Sequence, residues 1–302
     1  GIERTIISEK QNVSTKIGEK FAQFYNEVIM LNPRKENEIS VLLINLVAAL
    51  FSDSCGVLEP GTILRLIDLY SSEDGTNMEN LLVHIFGAIE GKTGLPEYVQ
   101  STCRGKITGI PVYNAGLKFD SKTRKTLISL CELNWDSVEP EVIGALLQAI
   151  LNPDDATIAY NYTSTANVYK VIGPLFVDDL YEEYERRKKD GTLSSDLLDK
   201  LSNTIVFDPA CGTGNFLMIC YKEMKKLEKL VKDYCTEHSI LTEDKSYVSV
   251  ENFYGIEQNY IATEVCRIGL AFTERKYENS VCTDIKYSLQ GTTQGRYLTG
   301  GV

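Results

Sequence analysis

The amino-acid sequence predicts an α/β protein in which a mostly helical N-terminal domain precedes part of a doubly wound parallel sheet. Three observations support this fold class. Residues 1–155 carry apolar side chains mainly at helical spacing. Residues 204–274 contain the pattern of a strand, a turn and a helix twice, which is typical of a parallel sheet. The pattern changes near residue 156, so we predict two domains, 1–155 and 156–302.

The elements of the first domain follow from local signals. Residues 37–53 are apolar on nearly all sides and predict a buried helix. Residues 95–120 hold several glycines and prolines beside an alternating segment, which predicts a loop with a small hairpin. The remaining segments with helical spacing are 16–31, 61–72, 77–91, 123–133 and 140–151.

The second domain begins with an amphipathic helix over 165–191 that Pro174 should kink or break. Residues 203–234 then predict a strand, a glycine turn and a long helix, and 252–275 repeat that order. The last segment, 291–302, shows neither helical nor strand period.

Composition excludes several classes of protein. The 302 residues are 43% hydrophobic and 24% charged, which is typical of a globular chain. The net charge of −11 excludes a wholly basic nucleic-acid-binding surface. Eight cysteines form no CxxC pair, and there are two histidines, so we expect reduced thiols, a cytoplasmic location and no metal site. No uninterrupted apolar run reaches about 18 residues, so we predict no membrane span. The start, GIERTIISEK, suggests a fragment of a longer protein.

The segment most informative about function is 204–216. Ile205, Val206 and Phe207 predict a short strand, and Asp208 follows where that strand leaves the sheet. The turn Gly212-Thr213-Gly214 leads into the next helix, and glycines at such a turn let a ligand approach the backbone closely. In open α/β sheets, ligands bind at the carboxyl ends of the strands.

The residue types narrow the ligand class. The sequence has no GxxxxGK[ST], which excludes a P-loop. GTGNFL lacks the third glycine of a dinucleotide fingerprint, and Asp208 would repel a pyrophosphate. A ligand with an amine or a positive charge fits better. Glu257 ends the second predicted strand, a position from which a carboxylate can accept hydrogen bonds from ribose hydroxyls.

These residues carry a resemblance. VFDPACGTGNFL resembles the cofactor loop of S-adenosylmethionine-dependent N6-adenine DNA methyltransferases, and YGIEQN resembles their second cofactor motif. Upstream, IAYNYTSTANVYKVIGPLF resembles the segment that closes over the methionine part of the cofactor. The N-terminal half is similar to the helical connector of type IIG restriction–modification enzymes. The resemblance implies that the helical connector is followed by a truncated methyltransferase core with a Rossmann-like, class I fold.

The resemblance implies roles for particular residues. Tyr162, Thr163 and Ser164 would contact the carboxylate and amine end of S-adenosylmethionine. Glu257 would hold the ribose, with Ile256 or Gln258 near the adenine. The residues implied to line the methionine and sulfonium region are Asp208, Ala210, Cys211, Gly212 and Gly214, with Cys211 interpreted as packing and not as a nucleophile.

One departure from the family matters. The catalytic Asn/Asp-Pro-Pro-Tyr/Phe motif is absent, because all eight prolines are isolated. Asp284 is the only placeable candidate in the sequence for the family's third cofactor motif. We therefore expect part of an adenine-N6 DNA methyltransferase that carries the donor site but is inactive alone, with duplex DNA bound mainly by missing parts. The lysines at 222–232 are interpreted as a solvated helix face. The alternatives are a non-catalytic helical scaffold and an rRNA or protein methyltransferase fragment.

Overall fold

A computed structural model describes residues 2–54, 56–103, 112–142, 144, 165–277, 291–292 and 295–299. Within these ranges, side chains are described for 15–142, 144 and 167–277. The chain divides into two compact units, Gly1–Tyr160 with Val281–Tyr287 and Asn161–Ser280 with Ser288–Val302.

In its described residues, the first unit contains helices joined by loops, and no strand. Its helices are α1 (Ile2–Leu31), α2 (Glu36–Ser54), α3 (Thr62–Tyr70), α4 (Met78–Glu90), α5 (Glu97–Gln100) and α6 (Ser121–Cys131), followed by a 3₁₀ turn at Trp135–Ser137. The helices predicted over 16–31, 61–72, 77–91 and 123–133 are therefore confirmed to within a few residues, except that α1 begins earlier. The helix predicted over 140–151 lies mostly outside the described residues.

Helix α2 lies in the core of the first unit. Nearly every residue from Ile39 to Ser52 is buried, which confirms the predicted buried helix. By length and composition alone α2 could cross a membrane, contrary to the expectation from the sequence, but 72% of its most apolar stretch is buried inside the protein. Such burial is typical of a core helix packed by its neighbours on all sides.

The predicted hairpin is wrong for the part of it that the structure describes, because residues 112–120 contain no strand. A side chain directly after α1 and another on α4 form hydrogen bonds with this backbone instead. Asn32 accepts from the N–H of Lys118 (2.7 Å) and donates to the carbonyl of the same residue (2.9 Å). Glu79 accepts from the N–H of Gly116 (2.6 Å). A segment whose hydrogen bonds are made by side chains needs no partner strand.

Asp120 ends this segment and caps helix α6. Its carboxylate accepts from the N–H of Thr123, and the Thr123 hydroxyl accepts from the N–H of Asp120, both at 2.8 Å. This reciprocal pair is a capping box, and the bond from the Thr123 backbone lowers the pKa of Asp120. The cap fixes the start of α6 two residues before the predicted start.

The second unit opens with a helical segment interrupted by Pro174. Helix α7 (Thr165–Ile172) runs into a π-helical turn at Gly173–Val177, and α8 (Asp178–Lys189) continues from it. Proline has no N–H to donate, and a wider turn accommodates it without ending the helix. Pro174 therefore produces a π turn in place of a break.

A small sheet follows helix α9 (Asp196–Ser202). Its strands are β1 (Val206–Asp208), β2 (Phe253–Glu257), β3 (Gly291–Thr292) and β4 (Gly295–Thr299), in the order β1-β2-β4-β3. Strand β1 pairs in parallel with β2, as predicted, and is joined to it by α10 (Asn215–Glu237) and a 3₁₀ turn at Val250–Asn252. Helix α11 (Tyr260–Tyr277) follows β2.

The interpretation of 291–302 as lacking a strand is wrong. Strand β4 pairs antiparallel with β2, with Gly255 opposite Leu298, and β3 pairs antiparallel with β4. Both strands are short. Strand β4 forms because it pairs with the free edge of β2, and the local sequence pattern does not indicate a partner that comes from another part of the chain.

One buried cluster from α7 to α11 forms the core of the second unit. Val206 packs against it, whereas Phe207, on the opposite face of β1, is 56% exposed and Ile205, just before the strand, is 68% exposed. Because β1 and β2 run in parallel, the residues that follow each strand emerge at the same edge of the sheet. The glycine turn and Glu257 therefore lie side by side.

Candidate functional site

The loop from β1 to α10 depends on two left-handed glycines. Gly212 has φ +53° and Gly214 has φ +85°, a region that side-chain-bearing residues avoid. Gly214 is also the N-cap of α10, and a Cβ there would lie 2.3 Å from Sγ of Cys266 on α11. A Cβ on Gly212 would meet nothing within 4 Å. Gly214 is therefore required for packing, whereas Gly212 faces open space.

Glu257 binds this loop directly. Its Oε2 accepts from the N–H of Gly212 at 3.1 Å, and its Oε1 accepts from the N–H of Asn259 at 2.7 Å. The carbonyl of Ile256 accepts from the N–H of Cys211 at 3.1 Å, which joins the two strand exits through the backbone as well. The second carboxylate and the glycine turn thus form one local structure.

Asp208 supplies the other carboxylate at the end of β1. Its Oδ1 accepts from the N–H of Ala210 at 3.0 Å, which folds the loop back over the strand end. Asp208 is half-buried, and Ala210 is exposed. Among the residues whose side chains the structure describes, neither Asp208 nor Glu257 forms an ion pair with a lysine or arginine. The site is therefore locally negative, which suits a cationic ligand.

The thiols beneath the loop are packing groups. Cys211 and Cys266 are buried, and the hydrogen bond between their thiols together with burial raises the pKa of Cys266 well above its ordinary value. Burial and the charge of Asp208 raise the pKa of Cys220 to about 12. A thiol that stays protonated is a poor nucleophile. Gly255 completes this contact, because a Cβ there would lie 2.6 Å from Sγ of Cys211.

Asn215 adds a group that the sequence analysis did not assign to the site. It is the first residue of α10, directly after Gly214, and its buried Oδ1 has no hydrogen-bond partner in the described part of the chain. Its only sequence signal was an amide at the start of a helix after a glycine turn. An unpartnered buried carbonyl oxygen is costly unless a donor binds it.

The other predicted residues are placed as follows. Ile256 is half-buried on β2, and Gln258 is exposed just beyond it. Tyr162, Thr163 and Ser164 lie outside the described residues, as does Asp284.

Comparisons with known proteins point to one class. Residues 182–291 match the family described as MmeI, DNA-methyltransferase domain. The chain is 28% identical to DNA methyltransferase A of Bacillus subtilis (strain 168) over 309 aligned positions, which cover 97% of the chain and 34% of that protein. It is 26% identical to a putative type II restriction enzyme and methyltransferase of Methanocaldococcus jannaschii, over 31% of the chain and 8% of the relative.

A solved structure gives the same result. The type IIL restriction–modification enzyme MmeI, solved in complex with DNA, superposes with a TM-score of 0.72 at 26% identity, covering 87% of this chain and 36% of that one. The resemblance to restriction–modification DNA methyltransferases is thereby confirmed. The chain spans about a third of the length of DNA methyltransferase A and of MmeI.

Proposed function

We propose that this chain carries the S-adenosylmethionine-binding part of an adenine-N6 DNA methyltransferase of the restriction–modification kind. The observation that carries the proposal is the 3.1 Å hydrogen bond from the Gly212 N–H to Glu257, which joins the two cofactor motifs in one site. The match to the MmeI methyltransferase family over 182–291, which includes both motifs, supports it. Adenine as the target base rests on the resemblance of VFDPACGTGNFL to the N6-adenine enzymes.

The residues present fit S-adenosylmethionine. Glu257 uses two acceptor positions on backbone N–H groups, and a carboxylate has about four, so capacity remains for both ribose hydroxyls. Asp208 offers negative charge to the methionine and sulfonium region, and open space borders Gly212. The free Oδ1 of Asn215 is an acceptor for an amine donor. When bound, the cofactor supplies a methyl group on a positively charged sulfur.

The protein groups then have distinct tasks. Ala210, Cys211 and Gly214 shape the wall beside the methionine part, and Ile256 or Gln258 contacts the adenine. Tyr162, Thr163 and Ser164 would close the carboxylate and amine end. Holding the donor in one orientation is the contribution of this site to catalysis, because orientation alone can supply several kcal/mol of the barrier reduction (~7–11 in favourable cases).

We assign residues 1–155 to a helical connector and 156–302 to the N-terminal part of a Rossmann-like methyltransferase domain. The parallel β1–β2 pair joined through α10 supports the second assignment. The MmeI superposition covers 87% of the chain, so it includes much of the first unit and supports the first. The parent enzyme would act on duplex DNA with the target adenine flipped out of the stack.

Isothermal titration of the purified chain tests the donor site. We expect saturable heat with S-adenosylmethionine and none with NAD, because Asp208 disfavours a pyrophosphate. The same preparation, given tritium-labelled cofactor and duplex DNA, should transfer no label, because the chain lacks the Asn/Asp-Pro-Pro-Tyr/Phe motif. Absence of heat with S-adenosylmethionine favours the alternative, a non-catalytic helical scaffold. Transfer of label would refute the assignment of the chain to the donor part alone.

A further inference from the structure

A groove of about 720 Å³ lies beside the C-terminal half of helix α10, and the site described above does not use it. Its other walls are the loop after α10 and the end of α11. Six lysines and three acidic residues line it, although the whole chain carries a net charge of −11. The lining residues are Lys225, Lys226, Glu228, Lys229, Lys232, Asp233, Asp244, Lys245, Ser246, Lys276 and Tyr277.

One of the acids that line this groove, Glu228, holds the fold together. Glu228 is 3% exposed and accepts from Lys225 and Lys232, each at 3.0 Å, and from the backbone N–H groups of Tyr247 and Val248. Burial alone would raise the pKa of Glu228, but these partners outweigh burial and lower it. Glu228 therefore fastens the loop to α10, and its one charge is shared by two lysines.

The lysines at the rim remain open to a ligand. Lys229 is exposed and forms no ion pair with any residue that the structure describes. The side chain of Lys226 is 47% exposed beside Glu223, and that of Lys245 is 52% exposed beside Glu243. The Lys245–Glu243 pair is exposed on both sides and therefore weak, so another anion can compete for the Lys245 ammonium group. Glu223 is buried, so Lys226 keeps that partner, but an ammonium group has three donors and can bind a second anion as well.

An aromatic ring orders part of the rim. The ammonium groups of Lys232 and Lys245 lie 5.3 and 5.0 Å from the ring centre of Tyr247. Such contacts hold flexible lysine side chains in place before a ligand arrives, which reduces the entropy lost on binding.

The spacing of the lysines suits a phosphate polymer. Lys225 is buried against Glu228 and is left out of this count. Lys226, Lys229 and Lys232 extend about 9 Å along α10, a length over which one DNA strand presents about two to three phosphates. The lining includes lysines but no arginine, and lysine binds phosphate as a point charge without a bidentate fork. Contacts of this kind position a duplex without reading its bases.

We propose that this lysine groove binds the phosphodiester backbone of duplex DNA without sequence preference. The inference that the groove binds a polyanion depends on the groove alone. The choice of DNA as that polyanion depends on the proposed function. The inference revises the interpretation of the α10 lysines as a solvated face, because the folded loop converts that face into the wall of a groove.

The test is fluorescence anisotropy of a short, labelled duplex of mixed sequence, without S-adenosylmethionine, at several salt concentrations. The variant carries Lys226→Gln, Lys229→Gln and Lys245→Gln. A matched control carries Lys170→Gln, Lys188→Gln and Lys189→Gln, three exposed lysines of α7 and α8 with the same loss of charge. We expect the groove variant to bind at least about tenfold more weakly at low salt and its salt slope to fall by about 2–3, near 0.9 per lost phosphate contact. The control should match the unmodified chain.

Two further arms identify the anion. Pyrophosphate, followed by phosphorus NMR, should bind too weakly to displace the duplex at millimolar concentration, and a poly-glutamate peptide of equal charge should compete poorly. An equal loss of duplex affinity in both lysine variants, or no loss in either, would refute the proposal that the groove binds DNA. Tight pyrophosphate binding or efficient displacement by poly-glutamate overturns DNA as the ligand. Because these assays omit S-adenosylmethionine, their failure is separable from failure of the donor site.

Discussion

Replacing Gly214 with alanine is expected to lower the free energy of unfolding of the second unit by about 2–5 kcal/mol. The left-handed φ of +85° accounts for part of this loss, because alanine is strained there. The larger part arises from the new Cβ, which would lie 2.3 Å from Sγ of Cys266 and 3.1 Å from its Cβ. Urea denaturation followed by far-ultraviolet circular dichroism measures the change.

Two control variants isolate the collision with Cys266, and a fluorescence signal separates the two units. Gly191→Ala, at φ +66° with nothing within 4 Å, carries only the backbone strain and should cost about 1–2 kcal/mol. Adding Cys266→Ala to Gly214→Ala should recover about 1 kcal/mol or more in a double-mutant cycle. Trp135, the only tryptophan, lies in the first unit and reports its unfolding separately by fluorescence. A cost for Gly214→Ala no greater than that for Gly191→Ala would contradict the packing argument.

Charge removal at the two strand exits is expected to reduce cofactor affinity about 10–100-fold for each variant, since hydrogen bonds to charged groups contribute about 1.5–3 kcal/mol. Asp208→Asn keeps an acceptor for the Ala210 N–H but removes the negative charge. Glu257→Gln retains one carbonyl oxygen where the carboxylate uses two. Isothermal titration with S-adenosylmethionine measures both.

A shortened ligand separates the two roles. 5′-Methylthioadenosine has the adenosine part but neither the amino-acid end nor the sulfonium charge. Glu257→Gln should therefore weaken both ligands by a similar factor, whereas Asp208→Asn should weaken S-adenosylmethionine much more than the shortened ligand. Equal losses for both variants with both ligands would show that the carboxylates act only through the stability of the loop.

The sequence allowed the local geometry of the candidate site to be predicted where adjacent residues determine it. The strand before Asp208, the glycine turn and the helix after it are each encoded by adjacent residues, and the parallel pairing places Glu257 beside them. A ligand-binding role that depends on an unpaired buried atom could not be predicted from the sequence in this way. The free Oδ1 of Asn215 becomes informative only once the helix start is packed and its surroundings are known.

The failures share a physical cause. Residues 112–120 alternate like a strand, yet the side chains of Asn32 and Glu79 take the hydrogen bonds that a partner strand would need. Strand β4 has little period of its own and forms on the edge of β2. Each outcome was decided by a distant partner.

The most direct test of the donor site is NMR on protein labelled with nitrogen-15 in glycine alone. Titration with S-adenosylmethionine should shift the amide signals of Gly212 and Gly214 together, because the Gly212 N–H bonds to Glu257 and Gly214 begins α10. The signal of Gly191, a left-handed glycine in the turn after α8, should stay in place. Saturable binding that leaves Gly212 and Gly214 unmoved would contradict the account.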